Sequence, residues 1–113
     1  MDLTFHLVPQ DYFDALDPRA DYAPRDFARE GLIHCTDGAD EMARTANRYY
    51  RGNAEPHYYL HIDKTRVRAP LRYDDAARLY PHIYGALNRD AIVAVQPARR
   101  AADGAFLPPE PLR

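Results

Sequence analysis

The sequence predicts an α+β fold with a split, mostly antiparallel sheet and two to three short helices, and three observations support this. Helix-period segments concentrate before Gly52, strand-period segments dominate after Pro56, and proline or glycine punctuates the junctions between them. At 113 residues the chain suits one domain, long enough to build a core without disulfides.

The first element is the stretch DLTFHLV, which alternates Leu3, Phe5 and Leu7 against Thr4, His6 and Val8, the period of a strand. Pro9 closes it and opens PQDYFDAL, where Tyr12, Phe13 and Leu16 form one helical stripe behind a proline suited to a first helical position. DPRADYAP reads as a surface loop. PRDFARE then gives about two helical turns before Gly31 supplies the end. LIHCT follows as a strand. Asp37 is expected to cap the next helix, DGADEMARTANRYYRG, whose Asp40 and Glu41 favour the positive end of the helix dipole. Met42, Thr45, Ala46, Tyr49 and Tyr50 line one side of that helix and Gly52 stops it.

Beyond Pro56 the strands take over. HYYLHID alternates Tyr58, Leu60 and Ile62 against His57, Tyr59, His61 and Asp63, and APLRYDD and DAIVAVQP are two more strands. Between those two, ARLYPHIYGALNRD is expected to be loop, with Pro81 and Gly85 bracketing His82, Ile83 and Tyr84. The tail ARRAADGAFLPPEPLR carries a turn at Asp103-Gly104, and reads either as a last short strand or as a loosely attached arm.

Composition narrows the function classes. A formal net charge of −2 gives no general attraction to phosphate backbones or anionic membranes, so nucleic-acid contact would need a local basic patch and tight non-specific binding is disfavoured. The single cysteine excludes an internal disulfide and a multi-thiolate metal site within one chain. No basic leader precedes an apolar stretch of signal length, and no apolar run approaches the roughly 20 residues that span a bilayer. A cytoplasmic location is the expectation. Oligomeric state is left open.

Candidate chemistry centres on GLIHCT. On a strand, His34 and Cys35 point to opposite faces, so they form no dyad; Cys35 shares Ile33's side, as a buried structural thiol would, and His34 shares its face with Thr36. His6 meets the same cleft if the first two strands pair. Two imidazoles with hydroxyls, and no Gly-rich loop, suit hydrogen bonding to ribose or phosphate oxygens. Tyr49, Tyr50, Tyr80 and Tyr84 supply stacking surfaces, and Arg48, Arg51 or Arg72 a charge for a diphosphate. His57 and His61 are too far apart on a strand to chelate a metal alone.

The ordered segments FHLVP, GLIHCT, ANRYYRG, APLRYDD and YPHIYGALNRDAIVAV resemble, over about residues 3–97, a small bacterial family known as domain of unknown function 952. That family is similar in fold to the ADP-ribosyltransferase superfamily. The resemblance implies an ADP-ribosyltransferase-like domain over residues 1–97, a Pro-rich extension over 98–113, and NAD or an ADP-ribose-like nucleotide as ligand or substrate. It implies His6 as the early-strand histidine at a ribose, and His34 with Thr36 as a second polar strand position, similar to the second histidine of the RNA 2′-phosphotransferase branch, which leaves a modified RNA end as the one nucleic-acid partner it implies. Asn47, Tyr50 and Arg51 carry its helix motif, and His82, Tyr84 and Gly85 its late motif. The late catalytic glutamate of many transferases has no counterpart, because Glu30, Glu41, Glu55 and Glu110 fall in no matching motif; catalytic residues are left unassigned.

Two readings follow: a nucleotide-binding domain with ADP-ribosyl or 2′-phosphotransferase-like activity, or a non-catalytic ligand-binding or protein-interaction domain that kept the fold. A smaller third reading, metal-assisted hydrolysis, requires imidazoles of His6, His34 and His82 within about 2.1 Å of one ion. No metal is assigned.

Overall fold

Two three-stranded antiparallel sheets, joined by a single bridge, organise the chain in the computed structural model, which describes residues 1–112. Strand β1 (Leu3–Pro9) runs into helix α1 (Gln10–Ala15), and a loop leads to α2 (Phe27–Glu30), β2 (Ile33–His34) and α3 (Ala39–Tyr50). Then come β3 (His57–Asp63), β4 (Leu71–Tyr73), β5 (Pro81–Ile83) and β6 (Ile92–Pro97). The first sheet has the order β1-β3-β6 and the second β2-β5-β4. The fold is therefore α+β with antiparallel sheets and three helices.

The period-2 patterns act on both faces of the first sheet. Val8, Leu60 and Ile62 face one core, shared with Ile33, Cys35, Ile83 and Leu87 of the second sheet and its loops. Phe5 and Tyr59 face the other, closed by Met42 and Ala46 of α3 and by Phe106 of the tail. With both faces covered, β3 is buried nearly throughout, and its Leu60 and Ile62 are fully inaccessible. The tail is held closely: Arg100 bridges Phe106, Gly104 takes the left-handed turn position at φ 89°, and Tyr59 donates to the Leu107 carbonyl at 2.7 Å.

Four local expectations are corrected. Residues 81–83 are not loop but β5, the central strand of the second sheet. Proline is tolerated there because Pro81 is the first strand residue, where its carbonyl still accepts from Cys35 N–H at 3.0 Å. Asp37 does not cap α3; Gly38 occupies the cap at φ 87°, and the Asp37 carboxylate is taken by Lys64 Nζ at 3.0 Å and by the Tyr73 hydroxyl. The two turns expected over PRDFARE shrink to the four residues of α2, ended by Gly31 in the left-handed conformation as predicted. Tyr22, placed in a surface loop, is fully buried, because its N–H and C=O pair with those of Leu87 at 2.8 Å. Among the described residues no helix is long and apolar enough to cross a membrane.

Candidate functional site

The site begins where the two sheets part. Phe5 and Thr36 exchange backbone hydrogen bonds at 2.9 and 2.8 Å, and the next such pair of an antiparallel ladder would be Leu7 with His34. That pair does not form. The His34 carbonyl instead accepts a hydrogen bond from His6 Nδ1–H at 2.7 Å. Since a carbonyl only accepts, the proton sits on Nδ1, and Nε2 accepts from the buried Tyr22 hydroxyl at 2.7 Å. His6 is thus a wedge on the β1 edge. Burial lowers its pKa to about 4, so the imidazole is neutral. The Leu7 N–H and C=O, which point away from β3 by the same alternation, have no backbone partner among the described residues.

A cavity of about 260 Å³ opens at this split, lined by the β1 edge from Phe5 to Pro9, Tyr12, Glu30, His34 and Tyr50. A second, of about 530 Å³, lies between α3 and the β5 side of the second sheet, with Arg48, Tyr49, Asp74, Tyr80 and His82 in its wall. The two cavities share His34, Thr36, Thr45 and Tyr50. They adjoin along that seam.

The exposed face of the second sheet furnishes the polar groups. His34 and His82 are directly opposed on β2 and β5, and Arg72 on β4 opposes His82, so the three form a row across the sheet. The two imidazoles meet edge to face with centroids 5.0 Å apart. Each has its own carboxylate: His34 Nε2 lies 3.1 Å from Glu30, and His82 Nδ1 lies 3.0 Å from Asp74. Tyr84 donates its hydroxyl to the same Asp74 oxygen, and the Arg72 guanidinium lies over the Tyr84 ring at 4.4 Å. Hydrogen bonds from Tyr84 and then His82 hold the Asp74 carboxyl below its ordinary range. Cys35, by contrast, is buried among apolar side chains, and desolvation, with the Asp37 charge next, pushes its thiol well above the usual range.

Of the residues singled out in the sequence, His34, Thr36, Tyr50 and His82 meet around the larger cavity, and His6 reaches the smaller one. Tyr84 stands behind, through Asp74. Asn47 and Arg51 belong elsewhere. Asn47 exchanges two hydrogen bonds with the Phe106 backbone, at 2.7 and 3.1 Å, and Arg51 pairs with Asp103 at 2.9 Å, so both fasten the tail. Gly85 serves a close approach, since a Cβ there would stand 2.9 Å from that of Ala69. His6, His34 and His82 form no three-ligand metal group among the described residues. Sequence reasoning missed Asp74 and the pairing of Glu30 with His34. Both carboxylates come from segments flanking the strands, and no spacing rule connects them to their histidines.

A family model described as "Protein of unknown function (DUF952)" matches residues 7–95. The crystal structure of protein CC0527 from Caulobacter crescentus superposes with a TM-score of 0.73 at 21% identity, covering 92% of each chain, and a double mutant of that protein gives the same values. At that identity the likeness is one of fold. No curated protein matches the sequence. With most of its length matched by the model, this chain belongs to the DUF952 family of proteins of unknown function.

Proposed function

We propose that the cleft binds a nucleotide of the NAD or ADP-ribose type, in an ADP-ribosyltransferase-like fold. The observation that carries this reading is the pair of adjoining cavities, about 260 and 530 Å³, meeting at His34, Thr36, Thr45 and Tyr50. Their size suits a ligand with two linked halves, within the usual range of small-molecule sites. Leu7's free N–H and C=O offer a donor and an acceptor side by side, the complement of a carboxamide. Tyr49 and Tyr50, exposed at the end of α3, give a stacking surface, and Arg48 places a cation at the rim for a diphosphate. An accompanying transfer reaction, ADP-ribosyl or 2′-phosphate, would draw on the imidazole–carboxylate pairs.

Thermal denaturation with NAD, ADP-ribose and a 2′-phosphorylated dinucleotide tests it. A ligand held at about 100 times its dissociation constant stabilises by roughly 2.7 kcal/mol, a rise of about 10 °C for a domain this size. Arg48→Ala and Tyr50→Ala should each reduce that rise while leaving the ligand-free midpoint within about a degree, as expected at exposed positions. No rise with any of the three ligands rejects the reading.

A second reading, a non-catalytic ligand-binding or protein-interaction domain, is favoured by one observation. His6, the histidine the family resemblance places at a ribose, has both ring nitrogens engaged inside the protein. Under that reading a nucleotide that binds survives prolonged incubation unchanged.

A further inference from the structure

His82 differs from His6 in the one respect that matters for chemistry. Its Nδ1 faces the Asp74 carboxylate at 3.0 Å, and because an ionised carboxylate only accepts, Nδ1 carries the proton. Nε2 is then a bare lone pair. It has no hydrogen-bond partner among the described residues, yet it is not among their buried unpartnered atoms, so it is open to solvent in a residue that lines the larger cavity. Asp74 is itself oriented by the Tyr84 hydroxyl, with Arg72 Nε 4.0 Å from its second oxygen. An oriented carboxylate, an imidazole in fixed tautomer and an open nitrogen are the parts of a general base. His34 stands edge to face beside it and reaches into both cavities, so a proton donor on His82 Nε2 lies next to the seam between them.

We propose that His82, oriented by Asp74, is the general base of this site and that the larger cavity admits a hydroxyl-bearing second substrate, water or an alcohol. The proposal rests on the nucleotide reading above. In the step it describes, the acceptor oxygen bonds to the ribose C1′ of NAD, and the acceptor's proton passes to His82 Nε2. The C1′–N bond breaks, its electron pair leaves with nicotinamide, and His82 returns its proton to solvent. With water the products are ADP-ribose, nicotinamide and a proton. Asp74 is a positioning residue that holds the tautomer and stabilises the imidazolium. The other charged or titratable groups around His82 are His34 with Glu30 from the β2 side, Arg72 from β4, Asp75 from the β4–β5 loop, and Arg48 and Tyr80 across the cavity.

The experiment follows nicotinamide release from NAD by chromatography, with and without a small alcohol, beside thermal denaturation in NAD. Wild-type protein should release nicotinamide. His82→Gln should keep the NAD-induced rise in midpoint and lose at least about 100-fold in rate, the lower end of general-base contributions. Asp74→Asn removes the carboxylate that orients the imidazole, so the maximum rate should drop while the NAD-induced rise in midpoint is kept. Nitrogen-15 spectra of the ligand-free chain give a readout independent of NAD: His82 should be the Nδ1–H tautomer, and should lose that preference in Asp74→Asn. An Nε2–H tautomer in wild type, or an unchanged rate in His82→Gln, overturns the base assignment. NAD that binds wild type and is never cleaved overturns the reaction. No NAD binding at all rejects the nucleotide reading, and this reaction with it, whatever the tautomer.

Discussion

Acidification should destabilise this protein well before its carboxylates titrate, and His6 is the reason. Its imidazole is sealed between the His34 carbonyl and the Tyr22 hydroxyl, with its pKa lowered from 6.5 to about 4 by burial. The folded chain therefore holds this proton less tightly than the unfolded chain does. The stability gained by keeping His6 neutral is complete above about pH 6.5 and is lost progressively as the pH falls toward about 4. At about 1.4 kcal/mol per tenfold change in proton affinity, that lowering is worth about 3 kcal/mol, a large part of the 5–15 kcal/mol typical of a domain. The depressed carboxyls of Glu41, Asp63, Asp74, Asp75 and Asp90 act in a different window, since their contributions disappear only below their ordinary values of 3.8 to 4.5. His57, also lowered by burial, overlaps with His6, so a variant is needed to separate them. His6→Asn keeps an amide donor for the His34 carbonyl but cannot become a buried imidazolium. Urea denaturation at a series of pH values should show the wild type losing about 3 kcal/mol more than His6→Asn between about pH 6.5 and 4. At neutral pH the variant should itself cost roughly 1–3 kcal/mol, for the Tyr22 hydroxyl left without a partner. Parallel pH profiles, or a His6 resonance that titrates near 6.5, would refute the reasoning.

Three further outcomes follow from packing. Asn47→Ala removes both hydrogen bonds to Phe106 and should cost roughly 1–3 kcal/mol by urea denaturation, with amide exchange accelerated at Phe106 and the nucleotide-induced midpoint rise unchanged. Gly85→Ala should lose about 1–3 kcal/mol through the 2.9 Å approach to Ala69, and Ala69→Gly introduced alongside should recover part of it; an unchanged single variant contradicts the close packing. Cys35 should resist iodoacetamide in the native state and react at the rate of global unfolding in urea, followed by mass spectrometry, because its thiol is both inaccessible and held protonated.

What was legible in the sequence depended on how far a residue's partners lay from it. The alternation in DLTFHLV and HYYLHID and the αL glycine after α2 are local signals, and β1, β3 and the end of α2 stand where those signals put them. The opposite faces of His34 and Cys35 follow from the strand pleat alone, and the buried thiol and exposed imidazole bear it out. β5 was hidden because three residues between a proline and a glycine carry too little period to register, while its role as the centre of a sheet is supplied by β2 and β4. Asn47 on α3 and Arg51, the residue that caps its end, stand one turn apart and look like site residues beside Tyr50. Only the return of the tail, more than fifty positions later, reveals them as its anchors.

Distance from their partners is also why the sequence marks the histidines without sorting them. An imidazole's role is decided by what its two nitrogens meet, and those partners are a carbonyl and a hydroxyl for His6 but a single carboxylate for His82. With both nitrogens engaged, His6 is spent on architecture: it takes the His34 carbonyl that would carry the Phe5–Thr36 bridge on toward β2, and the sheets part there. With one nitrogen engaged and one open, His82 is polarised toward the space created by that separation. The wedge and the base are thus linked through β2. Its backbone is held by His6 and its side chain stands against His82, so the histidine that makes the cleft also fixes the wall on which the reactive one is mounted.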